Sequence, residues 1–269
     1  AASSANGVTW TDRTLPSSNT WRYVTFGNNL FLAICTSSTT AATSTDGITW
    51  SLRTMPTASD WRSVKWGSDK FVALSYFSTT AASSTDGITW TTRTMANKQY
   101  WRALAYGNRW VAIGENSTTA NLSTDGITWS TISLSIAKQW RDIVWGGKYV
   151  AVAYGGTTSS TYSTDGITWT TSTMPSVSYW TSISYYDKYV ATSYGSTTAA
   201  SSTDGITWTL RTTTSNTTSY VYSAAKPPTA YVAVSYDSSS AVYSTNGITW
   251  TETTLPVSRR WLGVTHGDK

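Results

Sequence analysis

Seven times along the chain a segment of the type Ser-Thr-Asp-Gly-Ile-Thr-Trp returns, ending at Trp10, Trp50, Trp90, Trp129, Trp169, Trp208 and Trp250. This self-similarity constrains the fold more than any single residue, because a fixed period means that one supersecondary unit is stacked on copies of itself. A second marker sets the register. Trp21, Trp61, Trp101, Trp140, Trp180, Tyr220 and Trp261 open successive units, at spacings of 39 to 41 residues.

Each unit holds four short segments, as in the second one: "WRSVKWG" (61–67), "KFVALSY" (70–76), "TTAASST" (79–85) and "ITWTTRTM" (88–95). All are of strand length and rich in β-branched or aromatic residues. Between the last two lies Asp-Gly at 46–47, 86–87, 125–126, 165–166 and 204–205, or Asn-Gly at 6–7 and 246–247. These dipeptides suit the positive φ angles of a two-residue type I′ hairpin. A further tight turn is expected at "GNN" (27–29), "GSD" (67–69) and "GGK" (146–148).

No segment carries a helical stripe, and four strands every forty residues or so match a propeller blade. The expectation is an all-β, seven-bladed β-propeller of four-stranded blades, with residues 1–269 as one domain. Repeats begin near 21, 61, 101, 140, 180 and 220, and residues 261–269 join 1–20 in a closing blade that lacks one strand. A β-solenoid is the runner-up, but its repeats are usually shorter.

Composition narrows the function. Ser and Thr richness would suggest a disordered linker, but 16 Trp and 17 Tyr exclude that. The 8 Lys and 11 Arg behind a net charge of +5 are scattered, so a nucleic-acid partner is not expected. No window approaches the roughly 18 to 20 apolar residues of a membrane helix. Cys35 is the one cysteine and reads as a buried small hydrophobe, leaving no disulfide framework or thiolate metal site.

The repeated "STDGITW" resembles the Asp-box of sialidase-like propellers, a Ser/Thr-x-Asp-x-Gly-x-x-Trp hairpin between the third and fourth strands of a blade. Here the residue between Asp and Gly is missing, which points to a plain type I′ hairpin. The runs "TMP" (Met-Pro at 55–56 and 174–175) and "STTAA" (38–42, 78–82) also resemble repeats of phage and bacterial surface proteins. The resemblance implies a structural role for the repeated Asp and Trp and a chain displayed on a virion or outside the cell.

A glycosidase needs two positioned carboxyl groups, and Glu115 and Glu252, the two glutamates, occupy non-equivalent places. Of the aspartates outside the turns, including Asp60 and Asp142, none forms an evident pair. His266 stands where other units carry Phe26, Trp66, Tyr106, Trp145 and Tyr185. The expectation is therefore no enzyme, no metal and no cofactor.

The Trp-Arg pairs Trp21–Arg22, Trp61–Arg62, Trp101–Arg102 and Trp140–Arg141 are the candidate ligand-binding residues. Strand alternation sends the two members to opposite faces, and both should converge with the "STT" loops on one rim. There an indole face and a guanidinium could bind sugar, or the pair could hold neighbouring blades together by packing and cation–π contact. The leading expectation is a non-catalytic, multivalent carbohydrate-binding module whose partners are glycans. The alternative is a structural or docking propeller whose open closing blade accepts a strand from a protein partner.

Overall fold

The structure is a computed structural model, and it describes residues 1–214, 221–225 and 230–267. Tyr220 and residues 226–229, in the sixth unit, and Asp268 and Lys269 lie outside the described residues. Two short strands come first, β1 (Ala2–Ser3) and β2 (Thr11–Asp12), followed by the first full unit, β3 (Trp21–Gly27), β4 (Leu30–Cys35), β5 (Ser38–Ser44) and β6 (Ser51–Ser59). The second holds β7 (Trp61–Gly67), β8 (Lys70–Ser75), β9 (Ser78–Ser84) and β10 (Thr91–Gln99). Next come β11 (Trp101–Tyr106), β12 (Trp110–Gly114), β13 (Ser117–Ser123), β14 (Ser130–Trp145), β15 (Tyr149–Tyr154), β16 (Thr157–Ser163) and β17 (Thr170–Ser178). The chain continues through β18 (Trp180–Tyr185), β19 (Tyr189–Ser193), β20 (Thr198–Ser202) and β21 (Thr209–Thr212), then β22 (Val221–Ala225), β23 (Tyr231–Ser235), β24 (Ser238–Ser244) and β25 (Thr251–Arg259).

Among the described residues every ladder is antiparallel between sequence neighbours, giving four sheets of four strands and one of seven. The seven-stranded sheet arises because β14 runs unbroken from the last strand of one unit into the first strand of the next. The remaining sheet is the β1–β2 ribbon. First strands pack on one another in order, β3 on β7, β7 on β11, β11 on β14, β14 on β18 and β18 on β22. This is a propeller arrangement.

The core lies between sheets. Second strands are buried along their length: Phe71, Val72, Ala73 and Leu74 are each 0% exposed. Alternation splits them between two clusters. Phe71 and Ala73 pack with Leu32 and Ile34 of the preceding unit, while Val72 and Leu74 pack with Trp110 and Ala112 of the following one. A run buried on both faces therefore reads as continuously apolar, as "FVAL" does.

Two small features set the spacing. The residue ending the first strand is glycine in several units, and a methyl group at Gly27, Gly67, Gly107 or Gly146 would stand 2.0 to 2.3 Å from Trp66, Tyr106, Trp145 or Tyr185 of the next unit. The ring thus steps forward by seating an aromatic on a bare backbone.

The turns are distributed differently from the expectation. In the Asp-Gly segment only the glycine takes positive φ, +70° at Gly47, and six residues separate Ser44 from Ser51. A type I′ turn needs positive φ at both central residues, so that assignment is corrected for this hairpin. Between first and second strands, two-residue turns with both residues positive occur at Asn28–Asn29 (50° and 55°) and Ser68–Asp69 (45° and 62°), and Gly155–Gly156, between a second and a third strand, is positive at both residues too. The Asp-Gly loop is held by side chains instead. Asp46 Oδ1 accepts the N–H groups of Ile48 and Thr49 and the Ser44 hydroxyl, each at 2.8 Å.

Candidate functional site

Arg62 is aimed by a bulge. Trp61 pairs with Ser75 but Ser63 with Leu74, so Arg62 is an extra residue in its strand, and the same skip falls at Arg22, Arg102, Arg141 and Thr181. A bulge breaks alternation and redirects a side chain, so adjacent residues come to share one pocket. Arg22 and Tyr23, Arg141 and Asp142, and Thr181 and Ser182 line it together with Arg62, Arg102 and Leu262. Contributions from six units meet at the axis of the ring, around a cavity of about 50 Å³.

The Trp-Arg pairs are split by this geometry. Trp61, Trp101 and Trp140 are 0% exposed. Trp61 sits among Leu32, Ile34 and Met55, Trp101 among Val72, Leu74 and Met95, and Trp140 among Val111, Ile113 and Leu134, in each case against the preceding unit. An enclosed indole offers no face to a sugar, so stacking platforms at these three positions are corrected to inter-sheet packing. Trp21 is half-buried and borders a different cleft, between the chain's two end segments.

The arginines do converge, and they stack on tyrosine rather than tryptophan. Arg62 and Arg102 place their guanidinium carbons 4.5 Å from the centre of the Tyr76 ring, one from each side of the sequence, and Arg141 lies 4.8 Å over Tyr154. Arg62 donates twice to Asp60, at 2.8 and 2.6 Å. Arg102 Nε donates to Glu115 Oε1 at 2.7 Å, Arg141 donates to the same oxygen, and the Tyr76 hydroxyl donates to Oε2 at 3.0 Å. Burial would raise the Glu115 carboxyl, but the hydrogen bond and charge of Arg102, with Arg141 and Tyr76, outweigh it and hold the group below the usual carboxylate range.

Asp142 was not distinguished by sequence reasoning. It occupies the bulge position that holds Tyr23, Ser63, Ala103 or Ser182 in other units, and no spacing rule marks it. Its oxygens accept the N–H groups of Ile143 at 2.9 Å and Ile183 at 3.0 Å and the Ser182 hydroxyl at 3.2 Å. Burial pushes its carboxyl up, against the opposing pull of Lys65 and these donors. Burial works against the Lys65 ammonium too, but Tyr23 and Asp142 more than compensate, so its pKa is raised.

The rim beyond the arginines is aromatic. Phe77 is 49% exposed and stacks on Tyr100, with ring centres 4.3 Å apart, while Lys98 Nζ lies 4.0 Å over its ring. Phe77 takes φ +50°, where other units place Ser37, Asn116, Gly155 or Asp237. That conformation is costly for a bulky side chain. Cys35, by contrast, is fully enclosed, and burial pushes its thiol up to about 12. Among the described residues no three His, Cys, Asp or Glu side chains gather as metal ligands would.

The second concavity is larger, about 1340 Å³, and lies between the sixth unit and the first. Val232, Val234 and Leu255 line one wall, Phe31, Ala33 and Trp50 the other, with Trp10 and Trp261 from the end segments. The β1–β2 ribbon is fixed to the sixth unit by the Thr253 hydroxyl on Val8 O at 2.7 Å and by Arg259 on both oxygens of Asp12 at 3.0 Å. Residues 261–267 carry no ladder, yet a methyl group at Gly267 would meet the Phe26 ring at 2.7 Å, the contact made by each earlier glycine with the next aromatic.

No protein-family description matches the sequence, and no curated protein matches it. Solved structures do. The fold is similar to that of virginiamycin B lyase from Staphylococcus aureus, with a TM-score of 0.80 at 11% identity over 94% of this chain and 91% of that one. It is also similar to a streptogramin B lyase, with a TM-score of 0.79 at 10% identity over 91% and 86% of the two chains. The similarity to YCF48 bound to D1 peptide has a TM-score of 0.67 at 19% identity over 88% and 82%. These likenesses establish a β-propeller fold.

They also correct the expectation that the chain is not an enzyme, since two of these propellers are lyases. Counting carboxylates tested only for a glycosidase-type pair, and other chemistries do not need one. Neither lyase nor peptide-bound propeller supports a glycan partner.

Proposed function

We propose that the protein is a seven-bladed propeller whose closing blade captures an extended polypeptide segment of a protein partner. The observation that carries this reading is the cleft of about 1340 Å³ between Val232 and Val234 on one side and Phe31 and Ala33 on the other. In every complete unit those are the faces between which a second strand is packed, as β8 is packed between β4 and β12. The Gly267–Phe26 contact supports placing 261–267 as the first strand of this blade, and the β1–β2 ribbon supplies its third and fourth.

A segment entering the cleft would gain main-chain hydrogen bonds along two edges and apolar burial on both faces, the physics of strand addition. Its side chains should resemble those of the second strands, "KFVALS" or "YVAVAY". YCF48 bound to D1 peptide is a similarly folded protein that holds a peptide. The reading concerns the closing blade and is independent of any chemistry at the axis.

The test is a fluorescently labelled peptide of the sequence of residues 148–155, titrated into the protein beside a scrambled control. Saturable binding that a lysine at Val234 abolishes, in a variant with an unchanged circular dichroism spectrum, is the expected result. Equal behaviour of the two peptides removes the proposal.

A further inference from the structure

The second strands of the first six units carry one pattern, an aromatic residue, then Leu or Val, then Ala: "FLA" (31–33), "FVA" (71–73), "WVA" (110–112) and "YVA" (149–151, 189–191 and 231–233). Packing explains each place. The aromatic and the alanine face the preceding unit, where Phe71 and Ala73 join Leu32, Ile34 and Met55. Alanine leaves room for the indole that opens its own unit, since Ala73 shares its cluster with Trp61, Ala151 with Trp140 and Ala191 with Trp180. The middle residue faces the following unit and seats on its Asp-Gly or Asn-Gly turn. A methyl group at Gly126, Gly166, Gly205 or Gly247 would stand 2.6 to 3.1 Å from Val72, Val111, Val150 or Val190.

Both walls recur at the large cleft. Val232, Val234, Ala241 and Leu255, with Trp261 and Trp10, repeat the wall of Leu32, Ile34, Ala41 and Met55, with Trp61 and Trp90, onto which β8 places Phe71 and Ala73. On the other side Phe31, Ala33 and Gly47 of the first unit border the cleft, and the atoms nearest a methyl group at Gly47 belong to Phe31, at 3.5 to 3.8 Å. We infer that the cleft selects its polypeptide by register: it takes an extended segment in the order aromatic, branched aliphatic, alanine, with the aromatic and the alanine on the Trp261 wall and the branched residue on the Gly47 turn. This rests on the closing blade being a capture site. A slip of one residue sends every side chain to the opposite wall. The aromatic then meets the Gly47 turn and the branched residue meets the Trp261 ring, and overpacking at either place opposes binding.

Three labelled peptides separate capture from selection: residues 148–155, the same peptide with Tyr149 and Val150 exchanged, and the same peptide carrying Ala151→Leu. The exchanged peptide keeps the composition, charge and length of its parent, so order alone distinguishes them. Titrated into the protein by fluorescence anisotropy, both altered peptides should bind at least about tenfold more weakly than the parent. Equal affinity of the parent and either altered peptide overturns the register code and leaves capture standing. A parent peptide that does not bind overturns capture, and the register code with it.

Discussion

At Asp86 one carboxylate oxygen accepts the N–H groups of Ile88 and Thr89 and the hydroxyl of Ser84, each at 2.8 Å. The same three donors converge on Asp46, Asp125, Asp165 and Asp204, and each of these carboxyls is held at about 2. At Asp46 and Asp165 the backbone donors are the largest influence, while at Asp86 burial is the largest and is outweighed. A depressed carboxyl contributes stability that is present above its unfolded value of 3.8 and is lost as pH falls through about 2. Asn246 makes the same bonds without titrating. The double variant Asp86→Asn, Asp165→Asn should therefore lie below the parent in melting temperature at pH 7, with the gap closing between pH 4 and pH 2. Parallel acid limbs would show that these turns do not govern acid unfolding; screening at such exposed groups keeps the effect to a few degrees.

At the scale of the element, the glycine that closes the first strand in several units matters more than its size suggests. A methyl group at Gly107 would stand 2.3 Å from the Trp145 ring, a distance that only movement of the neighbouring sheet can relieve. Gly107→Ala should cost about 1–3 kcal/mol in urea denaturation. No measurable loss would mean that the sheets slide freely. Strands, their order and the structural role of the repeated Asp and Trp were legible in the sequence because period-two burial and turn residues encode them locally. The bulge at Arg62 was not, since a one-residue register skip leaves no mark in composition, and with it went the convergence of Arg141 and Asp142. The type I′ turn was misplaced because Asp-Gly has two uses: Ser84 and Asp86 satisfy the loop through side chains, while Ser68–Asp69 makes the tight turn without a glycine in it.

Across the whole molecule, stability is distributed sheet by sheet. Each inter-sheet cluster joins neighbours, as Trp101 joins the second and third units and Trp180 the fourth and fifth, so stability approximates a sum over interfaces. The closing region has the least: strands of two residues in β1 and β2 beside a cleft of about 1340 Å³. Amides of residues 2–3 and 11–12 should therefore exchange with deuterium well before those of β8 and β12, which are sealed on both faces. Mass spectrometry of exchange would report equal protection if the ring opens elsewhere first.

Glu115 stands where other units carry Thr36, Tyr76, Tyr154, Tyr194 or Tyr236, and its Oε1 draws Arg102 and Arg141 together. Copying a unit by duplication would propagate the sheets and the turns but not this residue. A ring built from an averaged repeat would therefore keep its shape and lose its axial arrangement, because what singles out this molecule among rings of its kind lies in the letters that broke the repetition.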